Sequence, residues 1–339
     1  MISMLAVLSW PVVVSWLFAN RSPATAVTAA ILGGYLLLPR NYSIELPAVP
    51  SLNKDSIPAL AAALAAAVMI SGRRLQDLAP GTILPGLWPR NRLIRLLFIL
   101  MLLGSIATVL TNGDTLRYGD RVQPALQPYD AASALGNTLF ALIPFLLARK
   151  YLAHPETQKT LLIGLAVAGL LYSLPTLYEV RMSPQLSRMI YGYFPHDWRQ
   201  HLRAGGYRPV VFLQHGLWLA IFLCGAFLAA MTLWRSTTGP IRTRWLLATG
   251  WLFMTLVLAK GFGALGIGLM LGAMILFLPV RLQVIGTAVI AGMLLLYPML
   301  RGADLVPPQR VERGEQQRVE VERAELVGAR GRLRHRLAD

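Results

Sequence analysis

The sequence is poor in cysteine and in charge. Its 339 residues include one cysteine, Cys224, so no disulfide can form within the chain. Charged residues make up 14%, and the five histidines and the cysteine do not occur at the spacing of a metal site. We therefore expect neither a disulfide-stapled domain nor a cofactor.

Acidic residues are also scarce, with 16 Asp and Glu against 32 Lys and Arg. Such an excess can indicate nucleic-acid binding, but the basic residues lie in the connections between apolar runs. Anchoring at a membrane surface explains this placement better. We expect membrane lipids, and no nucleic acid, as partners.

Apolar sequence is abundant, because 55% of the residues are hydrophobic and they occur in long blocks. A helix needs about 20 apolar residues to span a bilayer. The pattern predicts an all-α, polytopic transmembrane helix bundle of about ten spans within residues 1–300. The runs lie at about 2–19, 24–38, 57–71, 93–111, 131–148, 159–178, 209–234, 243–259, 261–280 and 282–300.

The connections differ in charge. Most basic residues fall in the odd-numbered connections, which favours a cytoplasmic location for them and an outer location for the even-numbered ones. The connection 179–208 breaks this rule, because it carries five arginines and is even-numbered. One interpretation is a loop that is solvated or binds lipid headgroups. The other is a periplasmic anion site, with Arg203 and Arg208 at the mouth of the next helix.

The next apolar run predicts a helix over 209–234 with Pro209 at its start. Arg208, Phe212 and His215 would then share one helix face, with the arginine about two turns from the imidazole. His215 is either a buried histidine bonded to a neighbouring helix or a functional group. His201 and His196, in the arginine-rich connection, are weaker candidates.

Lys260 interrupts an apolar stretch that is too long for one span. It is either a snorkelling lysine in a tight turn or a cation that meets an anionic group beside accessible backbone amides. Ala264, Gly268 and Gly272 follow at four-residue spacing, a stripe that lets helices approach closely. We expect this stripe to pack on the 209–234 helix and to bring Lys260 and Arg208 to one site.

Two short motifs, "RPVVFLQHG" and "LAKGFGAL", resemble those of the O-antigen ligase and Wzy polymerase superfamily. In that family the first motif reads like R-x-x-G-x-F-x-N-P-N and the second like S-R-G or S-K-G. The resemblance places Arg208, Phe212 and Lys260 on matching positions. The sequence departs from the family pattern where Gln214, His215 and Gly216 stand in place of N-P-N and where Ala259 replaces the serine.

The resemblance implies a multi-pass protein of the bacterial inner membrane that transfers a glycan from an undecaprenyl-diphosphate carrier to a hydroxyl acceptor. Arg208, Lys260 and Arg203 would bind the diphosphate without a metal, because fixed cations stabilise the charge on the leaving group. A neutral histidine, His215, His201 or His196, would be the base that accepts the hydroxyl proton.

Residues 301–339 form a charged, Arg-rich tail without lysine. A solvated tail and translation out of frame both explain this composition, and the second would make the chain a truncated relative. Two other classes stay open. One is a transporter or flippase of lipid-linked or anionic substrates, although no internal repeat is seen. The other is a non-catalytic subunit of polysaccharide export.

Overall fold

The computed structural model describes residues 2–46, 49–69, 83–118, 121–194, 201–203 and 205–303. Within these ranges the chain is mostly helical, as predicted, and each of the ten apolar runs contains a helix. The helices are α1 Ile2–Asn20, α2 Pro23–Leu37, α3 Ile57–Met69, α4 Arg92–Thr111, α5 Pro128–Tyr151, α6 Pro155–Met182, α7 Leu186–Tyr191, α8 Gly216–Ser236, α9 Pro240–Leu258, α10 Phe262–Phe277 and α11 Val280–Gly302.

Among the described residues, three short antiparallel hairpins lie in the connections between helices, a feature that the sequence did not predict. Their strands are only two to four residues long, so they shape the connections without forming a larger sheet. The strands are β1 Ile44–Leu46 with β2 Val49–Leu52, β3 Leu116–Tyr118 with β4 Arg121–Gln123, and β5 Leu202–Arg203 with β6 Gly206–Tyr207.

Six of the described helices, α1, α4, α5, α6, α8 and α11, are long and apolar enough to cross a membrane. Three shorter apolar helices, α2, α3 and α10, do not reach that length. The chain is therefore a helical, multi-pass membrane protein. The predicted number of ten spans stays a prediction.

Helix α8 is the centre of one core, against which α6, α9 and α10 pack. Its sequence is apolar on all sides, which is typical of a helix surrounded by others. Leu219, Leu223 and Leu233 are at most 1% exposed. A second core joins α1, α2, α3 and α5 and includes Val7, Val14 and Ala62.

The connections meet alternately at the two ends of the helices. At one end, the Asn41 amide donates to the Tyr191 carbonyl at 3.4 Å, which joins the α2–α3 connection to α7. At the other end, the Leu84 N–H donates to the Lys150 carbonyl at 3.0 Å, which joins the α3–α4 connection to the end of α5. The first end also contains the candidate site.

The chain divides into two compact units, Met1–Leu276 and Phe277–Asp339. The described part of the second unit is essentially α11, and none of its residues is buried. The tail predicted at 301–339 lies outside the described residues from position 304 onwards, so both interpretations of it stay open.

Candidate functional site

Residues 208–215, which we name the site segment, are not helical. Helix α8 begins at Gly216 with His215 as its N-cap, so the predicted helix start at Pro209 was wrong, as was the shared helix face of Arg208 and His215. The physical reason is that the backbone N–H groups of the segment bond to side chains from other helices instead of continuing a helix.

Glu179, near the end of α6, binds two of these N–H groups and one N–H group of α7. One carboxylate oxygen accepts from Val210 at 2.8 Å and Val211 at 2.7 Å, and the other accepts from Leu186 at 2.9 Å. The side chain is 1% exposed. A carboxylate can be buried at this depth because several donors replace its water.

Two further side chains hold the backbone of Phe212. The Tyr172 hydroxyl accepts from the Phe212 N–H at 3.2 Å and donates to the Leu36 carbonyl at 2.9 Å. The Lys54 amine donates to the Phe212 carbonyl at 2.7 Å. Helices α2 and α6, together with the turn that precedes α3, therefore fix the site segment.

The conformation that they fix is strained. Val211 has a φ of 57°, in the left-handed region that a β-branched residue rarely adopts. Such a conformation costs about 1–3 kcal/mol and persists where the surroundings over-determine it. Here the hydrogen bonds from the N–H groups of residues 210–212 to Glu179 and Tyr172 hold Val211 in this conformation.

Arg208 opens the site segment and is only 4% exposed. Its backbone N–H donates to the His201 carbonyl at 2.8 Å. Its side chain runs along Gly216, where an added Cβ would lie 2.7 Å from Nε and 2.8 Å from Cδ. Because Gly216 has no side chain, it leaves the space that the buried Arg208 side chain occupies.

Lys260 lies in the turn between α9 and α10 and has a φ of 55°. Its amine lies beside Gly206, because a Cβ added at that position would collide with it. The structure thus brings Lys260 to the strand β6 that leads directly into Arg208. That Lys260 and Arg208 form one site stays a prediction.

The predicted small-residue stripe explains how Lys260 reaches this position. Ala264, Gly268 and Gly272 are buried. A Cβ on Gly268 would lie 3.2 Å from the Cys224 sulfur of α8, and one on Gly272 would lie 3.3 Å from the Met231 sulfur. The close packing of α10 on α8 is therefore confirmed.

The candidate histidines differ in their placement. His215 caps α8, because its Nδ1 accepts the Leu217 N–H at 3.0 Å. A neutral ring then carries its proton on Nε2 and is a donor there, not a base. His201 is fully buried, with its ring centroid 5.9 Å from that of His215. His196 and the Arg203 side chain lie outside the described residues.

Sequence reasoning missed Glu179, Tyr172 and Lys54. The available signal was an ionisable residue at the edge of an apolar run, which is often retained for a specific partner. The partners themselves are distant in the sequence and could not be read from it.

No family model, curated protein sequence or solved structure matches the chain. The membrane-protein class therefore rests on the apolar helices. The site at one end of the bundle combines the buried Arg208 and the half-buried Lys260 with a backbone segment held by the buried carboxylate of Glu179. Such an arrangement is suited to binding an anion in surroundings that contain little water.

Proposed function

We propose that the protein transfers a glycan from an undecaprenyl-diphosphate carrier to a hydroxyl acceptor in the assembly of a cell-surface polysaccharide. The observation that carries the proposal is the packing of the Arg208 side chain against Gly216, together with the position of the Lys260 amine beside Gly206, two residues before Arg208. Breaking a sugar–diphosphate bond places negative charge on the leaving diphosphate. Cations already held in position stabilise that charge without reorganising during the reaction.

The two cations would contribute differently. The Arg208 guanidinium has five donors in a planar fork that can bind two phosphate oxygens. The Lys260 ammonium is a compact charge with three donors. His201 remains the candidate base among the described histidines, because Nδ1 of His215 already accepts the hydrogen bond that caps α8. Arg203 and His196 remain further candidates for diphosphate binding and for the base.

The direct test is glycan transfer by the purified protein from a lipid-diphosphate donor to a hydroxyl acceptor. We expect product formation that continues in excess chelator, because Arg208 and Lys260 supply the positive charge. A protein that moves the donor across vesicle membranes without cleaving it would be a flippase. A protein that does neither, but is required for export, would be an assembly subunit.

The proposal places the site on the periplasmic side. Met189 of α7 and Ser236 at the end of α8 are both exposed and belong to opposite predicted sides. In a Cys224→Ala background, we expect Met189→Cys to react with an impermeant thiol reagent in intact spheroplasts and Ser236→Cys to react only after lysis. The reverse pattern would place the site in the cytoplasm and remove the proposed donor.

We further expect Gly216→Ala to reduce transfer at least tenfold while the protein stays folded. The new Cβ would meet three atoms of the Arg208 side chain within 2.8 Å and displace the guanidinium without changing any charge. Gly225→Ala is the matched control in the same helix, because a Cβ there meets no atom within 4 Å. Equal activity of the two variants would show that the position of Arg208 is unimportant.

A further inference from the structure

A second feature is a cavity of about 370 Å³ between α2, α3, α5 and α6. Its volume falls in the range of ligand pockets, about 300–1,000 Å³. Most of its wall is apolar and includes Ile31, Leu152, Leu161 and Leu165. Tyr35, Lys54 and Asp55 also line it, so one region of an otherwise apolar cavity contains ionisable groups.

Lys54 is the unusual member of this lining, because it is 3% exposed. Its amine uses one of its three donors on the Phe212 carbonyl, and lies 5.9 Å from the centre of the Tyr35 ring. The neighbouring carboxylate of Asp55 pairs with Arg40 at 3.3 Å. Among the described residues, no carboxylate forms a salt bridge with Lys54.

This amine is poorly suited to carry its charge alone. Desolvation by burial lowers the pKa of Lys54 to about 7, although the nearby Asp55 opposes the shift. The nearby Arg40 also contributes to the lowered pKa. An anion in the cavity would favour the charged form, because an opposite charge within about 4–6 Å offsets the cost of desolvation.

We propose that this cavity binds an anionic phospholipid, with an acyl chain along α2, α5 and α6 and the phosphate at the Lys54 amine. The apolar wall matches a hydrocarbon chain, and the buried ammonium matches one negative charge. The acyl chain of a zwitterionic lipid matches the apolar wall equally well. Its headgroup, however, brings a positive group close to the Lys54 ammonium. The site therefore selects by headgroup charge, independently of any transfer reaction.

The preference for an anionic lipid should depend on pH. Below about pH 7 the Lys54 amine is charged before binding, whereas above it binding requires the uptake of a proton. Affinity should therefore fall as the pH rises above 7. The groups that face Lys54 within the described residues are Tyr35, Asp55 and Arg40, with Tyr172 on the far side of Phe212.

The test measures the binding of phosphatidylglycerol and phosphatidylcholine to the full purified chain in detergent, by native mass spectrometry. We expect the wild type to prefer phosphatidylglycerol about fivefold, the effect of about 1 kcal/mol for one basic residue. Lys54→Met should lose that preference while Lys54→Arg keeps it. Ala148→Phe places a bulky side chain in the apolar part of the cavity and should therefore reduce the binding of both lipids.

The matched control is Ala168→Phe, which makes the same substitution in a separate groove between α2 and α6. This variant should bind phospholipid normally. The proposal is wrong if Lys54→Met retains the preference, or if Ala168→Phe removes bound lipid and Ala148→Phe does not. Selective retention of a lipid diphosphate over phosphatidylglycerol would also overturn it.

Discussion

Replacing Arg208 or Lys260 by alanine should reduce glycan transfer at least a hundredfold while the protein still inserts and folds. Each change removes a fixed cation that meets charge developing in the transition state, and losing one such group commonly costs about 10²–10³ in rate. Transfer by purified variants, normalised to the folded fraction from gel filtration, is the measurement. If the tail is a frameshift product, the test belongs in the frame-restored gene.

Arg208→Lys separates charge from geometry. It keeps a positive charge but loses the planar fork, so we expect it to recover little of the lost activity. The control is Arg188→Ala in α7, because that arginine belongs to the same connection but is exposed. Undiminished transfer by well-expressed Arg208→Ala and Lys260→Ala proteins would show that both residues serve only as anchors.

The second large effect should follow from Glu179→Ala. The substitution leaves the Leu186, Val210 and Val211 N–H groups without their acceptor. Each unsatisfied buried donor costs about 1–3 kcal/mol, so we expect a loss of at least about 3 kcal/mol in the stability of the site segment. Limited proteolysis and thermal unfolding in detergent should both show the loss.

Glu156→Ala is the matched control for Glu179→Ala, because Glu156 lies in the first turn of the same helix and is exposed. We expect it to change stability by less than about 1 kcal/mol. Glu179→Gln should also be strongly destabilising, since one of its two acceptor oxygens becomes an N–H₂ donor. A protein that tolerates Glu179→Ala with intact protease resistance would show that Glu179 does not hold the segment.

The apolar runs were sufficient to predict the helices, because the hydropathy of a membrane helix is a local property of the sequence. The stripe Ala264, Gly268 and Gly272 was sufficient to predict how α10 packs on α8. Small residues at this spacing let another helix approach closely. The sequence did not determine whether the short α2, α3 and α10 span the membrane.

The start of α8 was predicted wrongly because Pro209 favours a helix start only when the following N–H groups have no better acceptors. Glu179 and Tyr172 supply such acceptors from α6, and Val211 is held at a positive φ. These contacts join residues that are far apart in the chain. Periodicity and local propensity contain no information about them.

The contacts at the site also constrain the order of biosynthesis. Lys54 is synthesised long before Phe212, the residue whose carbonyl it binds, and Lys260 emerges after both. Until then the ribosome-bound chain carries ionisable side chains whose native partners do not yet exist, and long-range contacts of this kind form slowly. The nascent protein should therefore stay bound to the insertion machinery until the turn at Lys260 has been synthesised and inserted.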